Sequence, residues 1–190
     1  MIRLLACLAL LLAAGCRPEP EAAPASKAPA PAPAAPATAA ATRDSAPVFY
    51  QDHALAGLPR VGLWVGAREV KAELSYTLTH IATGLMHRKS IGTNDAMLFL
   101  FGSARDRSFY MRNVPFDIDA AYIDDEGVIT EVVRLKAMDE VGVPSKSQRI
   151  QFVLETAPDF LKGIGAGPGT LIRTEKGSLK ETLAGLAQIP

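Results

Sequence analysis

The pattern of apolar and polar positions first predicts two short strands followed by a helix. Apolar residues dominate residues 61–65 and 70–74, and the polar stretch 66–69 between them is typical of a turn. Thr77 is a residue type that caps helix N-termini, and after it apolar side chains recur at helical spacing. This stripe consists of Leu78, Ile81, Ala82, Leu85 and Met86. It predicts one prominent helix after the strand pair.

Short apolar runs separated by turns predict the remaining strands. These runs are residues 97–101, 118–123, 128–135, 150–154 and 170–173. The stretch 124–127 ends in Gly127, which suits the positive φ of a hairpin turn. Residues 108–113 alternate in character and put Phe109 and Met111 on one face, which we expect to be the core face.

Two weaker helical segments complete the pattern. Residues 158–163 favour a short helical turn, and residues 178–187 favour a loosely attached terminal helix. The chain is therefore predicted to form an α+β fold, with a mainly antiparallel β-sheet or small β-barrel and one prominent helix. We expect a single domain over residues 48–174 and a C-terminal tail of helical character over 175–190.

The N-terminus has the pattern of a secretory signal. Arg3 supplies the positive charge, residues 4–12 form an apolar run too short to span a membrane, and small residues precede Cys16. A cysteine in this setting is typical of a bacterial lipoprotein, in which residues 1–15 are removed and Cys16 is lipidated. The alternative is ordinary signal cleavage, which would leave Cys16 as an idle thiol. The lipoprotein interpretation predicts a cell-envelope protein that is lipid-anchored and faces the periplasm or the exterior.

Residues 16–47 are predicted to be the lipidated cysteine and a tether. Residues 17–47 include 13 alanines and 8 prolines, a composition that interrupts helices and cannot build a core. The two cysteines of the chain are Cys7, inside the signal, and Cys16. The mature domain is therefore expected to contain no disulfide and to depend on packing.

The charge balance excludes some partners. Lysines and arginines number 20, and so do aspartates and glutamates, so the formal net charge is zero. Nucleic-acid binding needs a strongly basic face, and electrostatic attachment to anionic lipid needs clustered positive charge. We therefore expect no nucleic-acid partner, and membrane attachment through the lipid on Cys16.

Several blocks of sequence resemble a widespread prokaryotic family known as domain of unknown function 192. Its pattern, in words, is Gly-Leu-Met-x-Arg, Met-Leu-Phe-x-Phe, Phe-Trp-Met-Lys-Asn, Pro-x-Asp and a late Val-Leu-Glu strand. The matching residues here are Gly84, Leu85, Met86, Arg88, Met97, Leu98, Phe99, Phe101, Phe109, Met111, Asn113, Pro115, Asp117, Val153, Leu154 and Glu155.

The resemblance covers roughly residues 63–173 and includes departures. Tyr110 replaces the usual Trp, Arg112 the usual Lys, and Ile81 a common Arg, while Pro168 occupies the Gly-Asp position of the late loop. The resemblance implies a compact, mainly antiparallel β-fold and brings no established activity.

Four polar members of these blocks are the candidate ligand-binding residues. They are Arg88, Arg112, Asn113 and Asp117. One interpretation is a cleft in which the arginines hold a carboxylate or phosphate while Asn113 and Asp117 orient a substrate. The other is a structural network around Pro115, in which these polar groups tie the backbone.

No metal or cofactor is expected. Met86, Met97 and Met111 could provide thioether ligands for Cu(I), but methionines at helix and strand positions are more often core residues. His53, His80 and His87 lack a spacing typical of zinc sites.

Two functions remain open from the sequence. The first is a lipid-anchored envelope domain of uncharacterised activity that binds a small ligand or a protein partner. The alternative is a hydrolase-type enzyme that acts on an envelope component with Asp117 and Arg88 or Arg112. If the four polar residues converge in one pocket, ligand binding or catalysis gains support. If each of them pairs separately with other groups, the structural network gains support.

Overall fold

The computed structural model describes residues 49–189, so the predicted signal segment, Cys16 and the tether lie outside it. This part of the chain contains ten strands, three short α-helices and one 3-10 helix. The strands are β1 (Arg60–Val65), β2 (Arg68–Ser75), β3 (Asp95–Arg105), β4 (Ser108–Phe109), β5 (Ile118–Asp124), β6 (Ile129–Leu135), β7 (Val143–Pro144), β8 (Ile150–Thr156), β9 (Ile172–Thr174) and β10 (Gly177–Ser178). The helices are α1 (Leu78–Thr83), α2 (Phe160–Gly163), α3 (Leu179–Thr182) and the 3-10 helix Ala184–Leu186.

Eight of these strands form one open, mixed sheet in the order β10-β9-β1-β2-β3-β8-β5-β6, and β4 pairs with β7 separately. In the large sheet β2 and β3 run parallel, with α1 in the connection between them, and the other neighbours are antiparallel. The predicted α+β class with a mainly antiparallel sheet is confirmed, and the sheet is not closed into a barrel.

The start of β6, at one border of the sheet, is hydrogen-bonded to the segment that leads into β9. The amide of Ile129 donates to the carbonyl of Thr170 at 2.9 Å, and the amide of Gly169 donates to the carbonyl of Ile129 at 2.8 Å. A further bond of 2.8 Å runs from the amide of Ile172 to the carbonyl of Gly127. The β5–β6 hairpin is thereby tied to the chain just before β9.

Each face of the sheet carries its own hydrophobic core. The first core lies around Leu98 and Phe152, and the second lies around Phe99 and Val153. Neighbouring residues of a strand point to opposite faces, so the central strand β8 is buried along its whole length. The second core is closed by α1, the turn that follows it, and β4, and this arrangement positions the candidate site.

Helix α1 begins as predicted but is shorter than its apolar stripe. The Thr77 side chain accepts a hydrogen bond from the amide of His80, which is the expected N-cap. Gly84 ends the helix with a φ of +48°, and a Cβ there would approach the ring of Phe99 to 3.2 Å. Leu85 and Met86 therefore lie in a turn, yet both remain buried.

The alternating segment 108–113 is a strand only at Ser108–Phe109. Its side chains nevertheless reach the predicted core, because Met111 is 1% exposed and Phe109 makes edge-to-face contacts with Phe99 at 5.0 Å and Tyr122 at 6.0 Å. The interruption follows from the backbone beyond Phe109, where the amide of Met111 donates to the carbonyl of Asp139 instead of continuing the β4–β7 ladder.

The C-terminal segment is packed on the domain and is not loosely attached. Leu179 is fully buried in the first core, and Leu183 joins it. The amide of Gly102 donates to the carbonyl of Ile189 at 2.7 Å, and the amide of Gln188 donates to the carbonyl of Tyr76 at 3.0 Å. Among the helices of residues 49–189, none has the length and apolar character needed to cross a membrane.

Candidate functional site

A cavity of about 200 Å³ lies between α1 and its following turn on one side and β4 with the adjoining loop on the other. Most of its wall is apolar, and it includes Met86, Phe99, Phe109 and Met111. Glu155 also lines it. We call this space the Glu155 cavity.

Strand β8 carries Glu155 to the wall of the cavity. Its neighbours across the sheet are Met97 of β3 and Ala120 of β5, so the side chain shares the second-core face with apolar groups. The residue is 4% exposed, and within residues 49–189 its Oε2 has no hydrogen-bond partner. A buried polar atom without a partner is costly, which makes this oxygen unusual in a folded domain.

Burial also changes the acidity of this group. Loss of water contact raises the pKa of Glu155 from 4.5 to about 8, and the nearby Arg88 guanidinium opposes the rise only in part. Glu155 consequently retains its proton at neutral pH in the ligand-free domain. Buried carboxyl groups with raised pKa values in a cavity are recurrent features of binding and catalytic sites.

Arg88 is close enough to lower the pKa of Glu155 electrostatically, but it is engaged with other groups. Its Nη2 is 2.6 Å from Oε2 of Glu73 and donates to the carbonyl of Leu55 at 3.4 Å. Its Nε is buried, and no partner for it occurs in the described part of the chain. The pair of Arg88 and Glu73 therefore forms a charged neighbour to the cavity without lining it.

Strained backbone occurs close in sequence to two of the cavity-lining segments and at Met138, which is hydrogen-bonded to lining residue Val114. His87, Asn113 and Met138 have φ values of 63°, 56° and 60°, which side chains other than glycine seldom adopt. The amide of His87 donates to the carbonyl of Asn113 at 2.9 Å, and the amide of Met138 donates to the carbonyl of Val114 at 2.9 Å. Such strain persists where surrounding contacts enforce it, often at functional sites.

The four candidates from the sequence do not form one cluster of side chains. Arg88 is paired with Glu73, whereas Arg112 forms two hydrogen bonds to Glu140 and lies over two tyrosine rings. Asn113 contributes its positive φ and a backbone carbonyl.

Asp117 makes its own set of contacts. It accepts from Lys136 Nζ at 2.8 Å and from the amide of Ala137 at 2.9 Å. The hydrogen bond from Lys136 is the main cause that lowers the pKa of Asp117. These pairings are those of a network that ties loops, and a ligand role for the four residues stays a prediction.

The methionines of the proposed thioether site are packing residues. Met86, Met97 and Met111 are all buried in the second core, and two of them line the Glu155 cavity. Within residues 49–189 there is no cluster of three or more histidine, cysteine, aspartate or glutamate side chains that could hold a metal ion.

Sequence reasoning missed Glu155 as a functional candidate. A signal for it exists, since Glu155 is the one charged residue in the sequence of β8, Ile150–Thr156. The cavity wall also includes residues from four of the five resemblance blocks, and the block that contains Glu155 is one of them. These are Gly84, Leu85 and Met86, then Phe99, then Phe109, Tyr110 and Met111, and finally Glu155.

Comparisons with known proteins identify the family of this domain. The family model of DUF192, described as "Uncharacterized ACR", matches residues 63–174. No curated protein matches the chain.

Two solved bacterial structures are similar to this domain. One is a protein of unknown function from Novosphingobium aromaticivorans, with 25% identity, a TM-score of 0.59, and coverage of 64% of this chain and 89% of the other. The second is described as a "putative transcription regulator" from Sinorhizobium meliloti, with 26% identity, a TM-score of 0.56, and coverage of 60% of this chain and 92% of the other. Since the family model spans more than half of the sequence, this chain belongs to the domain of unknown function 192 family.

Proposed function

We propose that this protein binds a small, mainly apolar molecule in the Glu155 cavity. The observation that carries the proposal is that Glu155 lines the cavity and that its buried Oε2 has no hydrogen-bond partner among the described residues. A ligand that donates a hydrogen bond to this oxygen would remove the cost of leaving it unpaired.

The composition of the cavity supports the same function. Binding sites for small molecules combine a mostly apolar wall with a few convergent polar groups that fix orientation. Here the wall is made by Met, Phe and Leu side chains, and the polar groups include Glu155, Ser108 and Thr83. The volume of about 200 Å³ limits the occupant to a small molecule, such as one with a single ring.

We also propose that the domain acts at the cell envelope. The support is the sequence around Cys16, which is typical of a lipoprotein, and the proline- and alanine-rich stretch that follows it. A lipid on Cys16 would hold the ligand-binding domain near the membrane, with residues 17–47 as its tether.

The hydrolase alternative requires Asp117 to act with Arg88 or Arg112. Asp117 is bound to Lys136 and the amide of Ala137, while Arg112 is bound to Glu140 and Arg88 to Glu73. Each group already has a partner of its own, so the cavity is the better-supported site.

The proposal is tested by locating where small molecules bind. The full-length protein with isotope-labelled methionine methyl groups is titrated with single-ring fragments and followed by NMR. We expect shifts at Met86 and Met111, which line the cavity, and little change at exposed Met138. If the fragments shift only the Met138 signal, or if no fragment shifts any methionine signal, the proposal is contradicted.

A variant that fills the cavity provides the control. Ala82→Phe adds a ring at a position of α1 that lines the cavity, and it should abolish fragment binding. Leu78→Phe makes a similar change at a 43% exposed position of the same helix and should leave binding intact. If both variants bind the fragments equally well, the fragments bind outside the Glu155 cavity.

A further inference from the structure

Among the described residues, Glu155 is the single acidic one in the wall of the Glu155 cavity, and it restricts the chemistry of the ligand. The aromatic and methionine side chains around it offer no comparable acceptor, and Glu155 Oε2 has no partner within residues 49–189. We infer that the ligand is a small amine, with an apolar body in the cavity and a nitrogen that donates hydrogen bonds to Glu155. This inference rests on the proposed function.

A donor fits this site better than an acceptor. The protonated carboxyl of the free domain can donate one hydrogen bond, but a ligand carboxylate or phosphate would bury its own charge in an apolar wall and would need a cation there. Arg88, whose charge acts on Glu155, does not line the cavity and is held by Glu73 at 2.6 Å. An ammonium group needs no such cation, since its charge is matched by Glu155 itself.

A protonated and a neutral amine can both form the same complex with Glu155. An ammonium ion that binds displaces the proton of Glu155 to solvent, and a neutral amine takes that proton directly. Both routes end with the same ammonium–carboxylate pair inside an apolar wall, where a charge-assisted hydrogen bond is strong.

Charged and titratable groups on the neighbouring elements define the electrostatic setting. Arg88 comes from the turn after α1, and Glu73 from β2 neutralises it. Tyr122 of β5 donates its hydroxyl to the carbonyl of Val143, and its pKa is raised by burial, so it stays neutral. Glu155 is therefore the group that gains charge when an amine binds.

Binding to probes of matched shape tests the inference. Benzylamine, toluene and benzoate share one ring and differ in the group attached to it, and each is titrated into the full-length protein by NMR. We expect benzylamine to bind at least about tenfold more tightly than toluene, from the strength of hydrogen bonds to charged groups, and benzoate to bind most weakly.

The pH dependence of benzylamine binding is a second readout. Because one proton leaves Glu155 for each ammonium bound, affinity should rise up to about tenfold per pH unit as the pH approaches the pKa of about 8. Toluene binding should change little over the same range.

Variants separate the role of the charge from that of the cavity. Glu155→Gln keeps the shape and removes the negative charge, so it should lose at least about tenfold in benzylamine affinity while keeping toluene affinity. Glu131→Gln changes another buried glutamate, which bonds to the amide of Lys146, and should change neither affinity.

The outcomes distinguish the two proposals. If toluene binds in the cavity and benzylamine binds no more tightly, or Glu155→Gln binds benzylamine as well as the wild type, the amine inference is overturned while the cavity proposal stands. If none of the probes shifts the cavity methionines, both are overturned.

Discussion

At position 155 the fold holds a carboxyl group where water does not solvate it. The cost of this arrangement depends on pH, since burial raises the pKa of Glu155 from 4.5 to about 8. In that interval the folded state keeps a proton that the unfolded chain releases. Stability from this group is thus greatest at low pH and falls as the pH rises from about 4.5 to about 8.

Replacement of Glu155 by glutamine should remove this pH dependence. We expect Glu155→Gln to gain stability relative to the wild type by at least about 1 kcal/mol between pH 5 and pH 8, since one pKa unit corresponds to about 1.4 kcal/mol. Urea unfolding at the two pH values measures the difference. A constant gap between the two proteins would show that the carboxyl group titrates normally.

Met111 and Asp117 are close in sequence but should differ in their effect on stability. Met111→Ala is expected to lower the free energy of unfolding by about 2–5 kcal/mol, since it removes a buried side chain and leaves a cavity. Asp117→Asn should cost far less, because its ion pair with Lys136 is partly exposed and screened by solvent. Chemical denaturation compares them, and a large loss for Asp117→Asn would make it a structural tie and remove it from the site candidates.

The roles of some single residues could be predicted from the sequence, and those of others could not. Thr77 and Gly127 could be assigned because caps and positive-φ turns depend on local chemistry. Glu155 could not, because its burial results from strands far apart in sequence that place Met97 and Ala120 on either side. The same holds for the partners of Arg112 and Asp117, which come from the loop at residues 136–140.

At the scale of elements, strands were easier to predict than the helix length. Apolar runs predicted the strands because residues 96–101 of β3, nearly all of β5 and all of β8 are buried on both faces, which favours continuous hydrophobicity. The helical stripe, in contrast, continues to Met86 although α1 ends at Thr83. Gly84 packs against Phe99, a contact that periodicity does not reveal.

Helix α1 depends on its N-cap because it has only six residues. Thr77→Ala removes the acceptor of the His80 amide and should lower the free energy of unfolding by about 1 kcal/mol. Thermal unfolding provides the measurement, and Thr79→Ala on the same helix is the matched control. Since α1 also forms a wall of the Glu155 cavity, the cap variant should weaken fragment binding as well.

At the scale of the whole molecule, the C-terminal segment is a structural part of the domain. Leu179→Ala should lower the free energy of unfolding by about 2–5 kcal/mol, because this side chain is fully buried in the first core. Leu186→Ala, at a 46% exposed position, should have little effect. Equal melting temperatures for the two variants would mean that the segment is dispensable.

Membrane attachment is tested separately from folding. Cys16→Ser should release the protein from the membrane fraction while leaving its unfolding transition unchanged, since Cys16 lies outside the 63–174 family match. Fractionation after a high-salt wash checks this, with the wild type as control. A variant that stays membrane-bound after the wash would contradict the lipid anchor.

The contacts between residues 169–172 and 127–129 have a consequence for how copies of this protein behave together. Both the amide and the carbonyl of Ile129, the first residue of outer strand β6, are occupied by Gly169 and Thr170. An unpaired strand at the border of a sheet is a template for aggregation. The opposite border, β10, has only two residues and offers no long template, while on β6 these contacts shorten the template to the residues after Ile129, where edge-to-edge association should be concentrated.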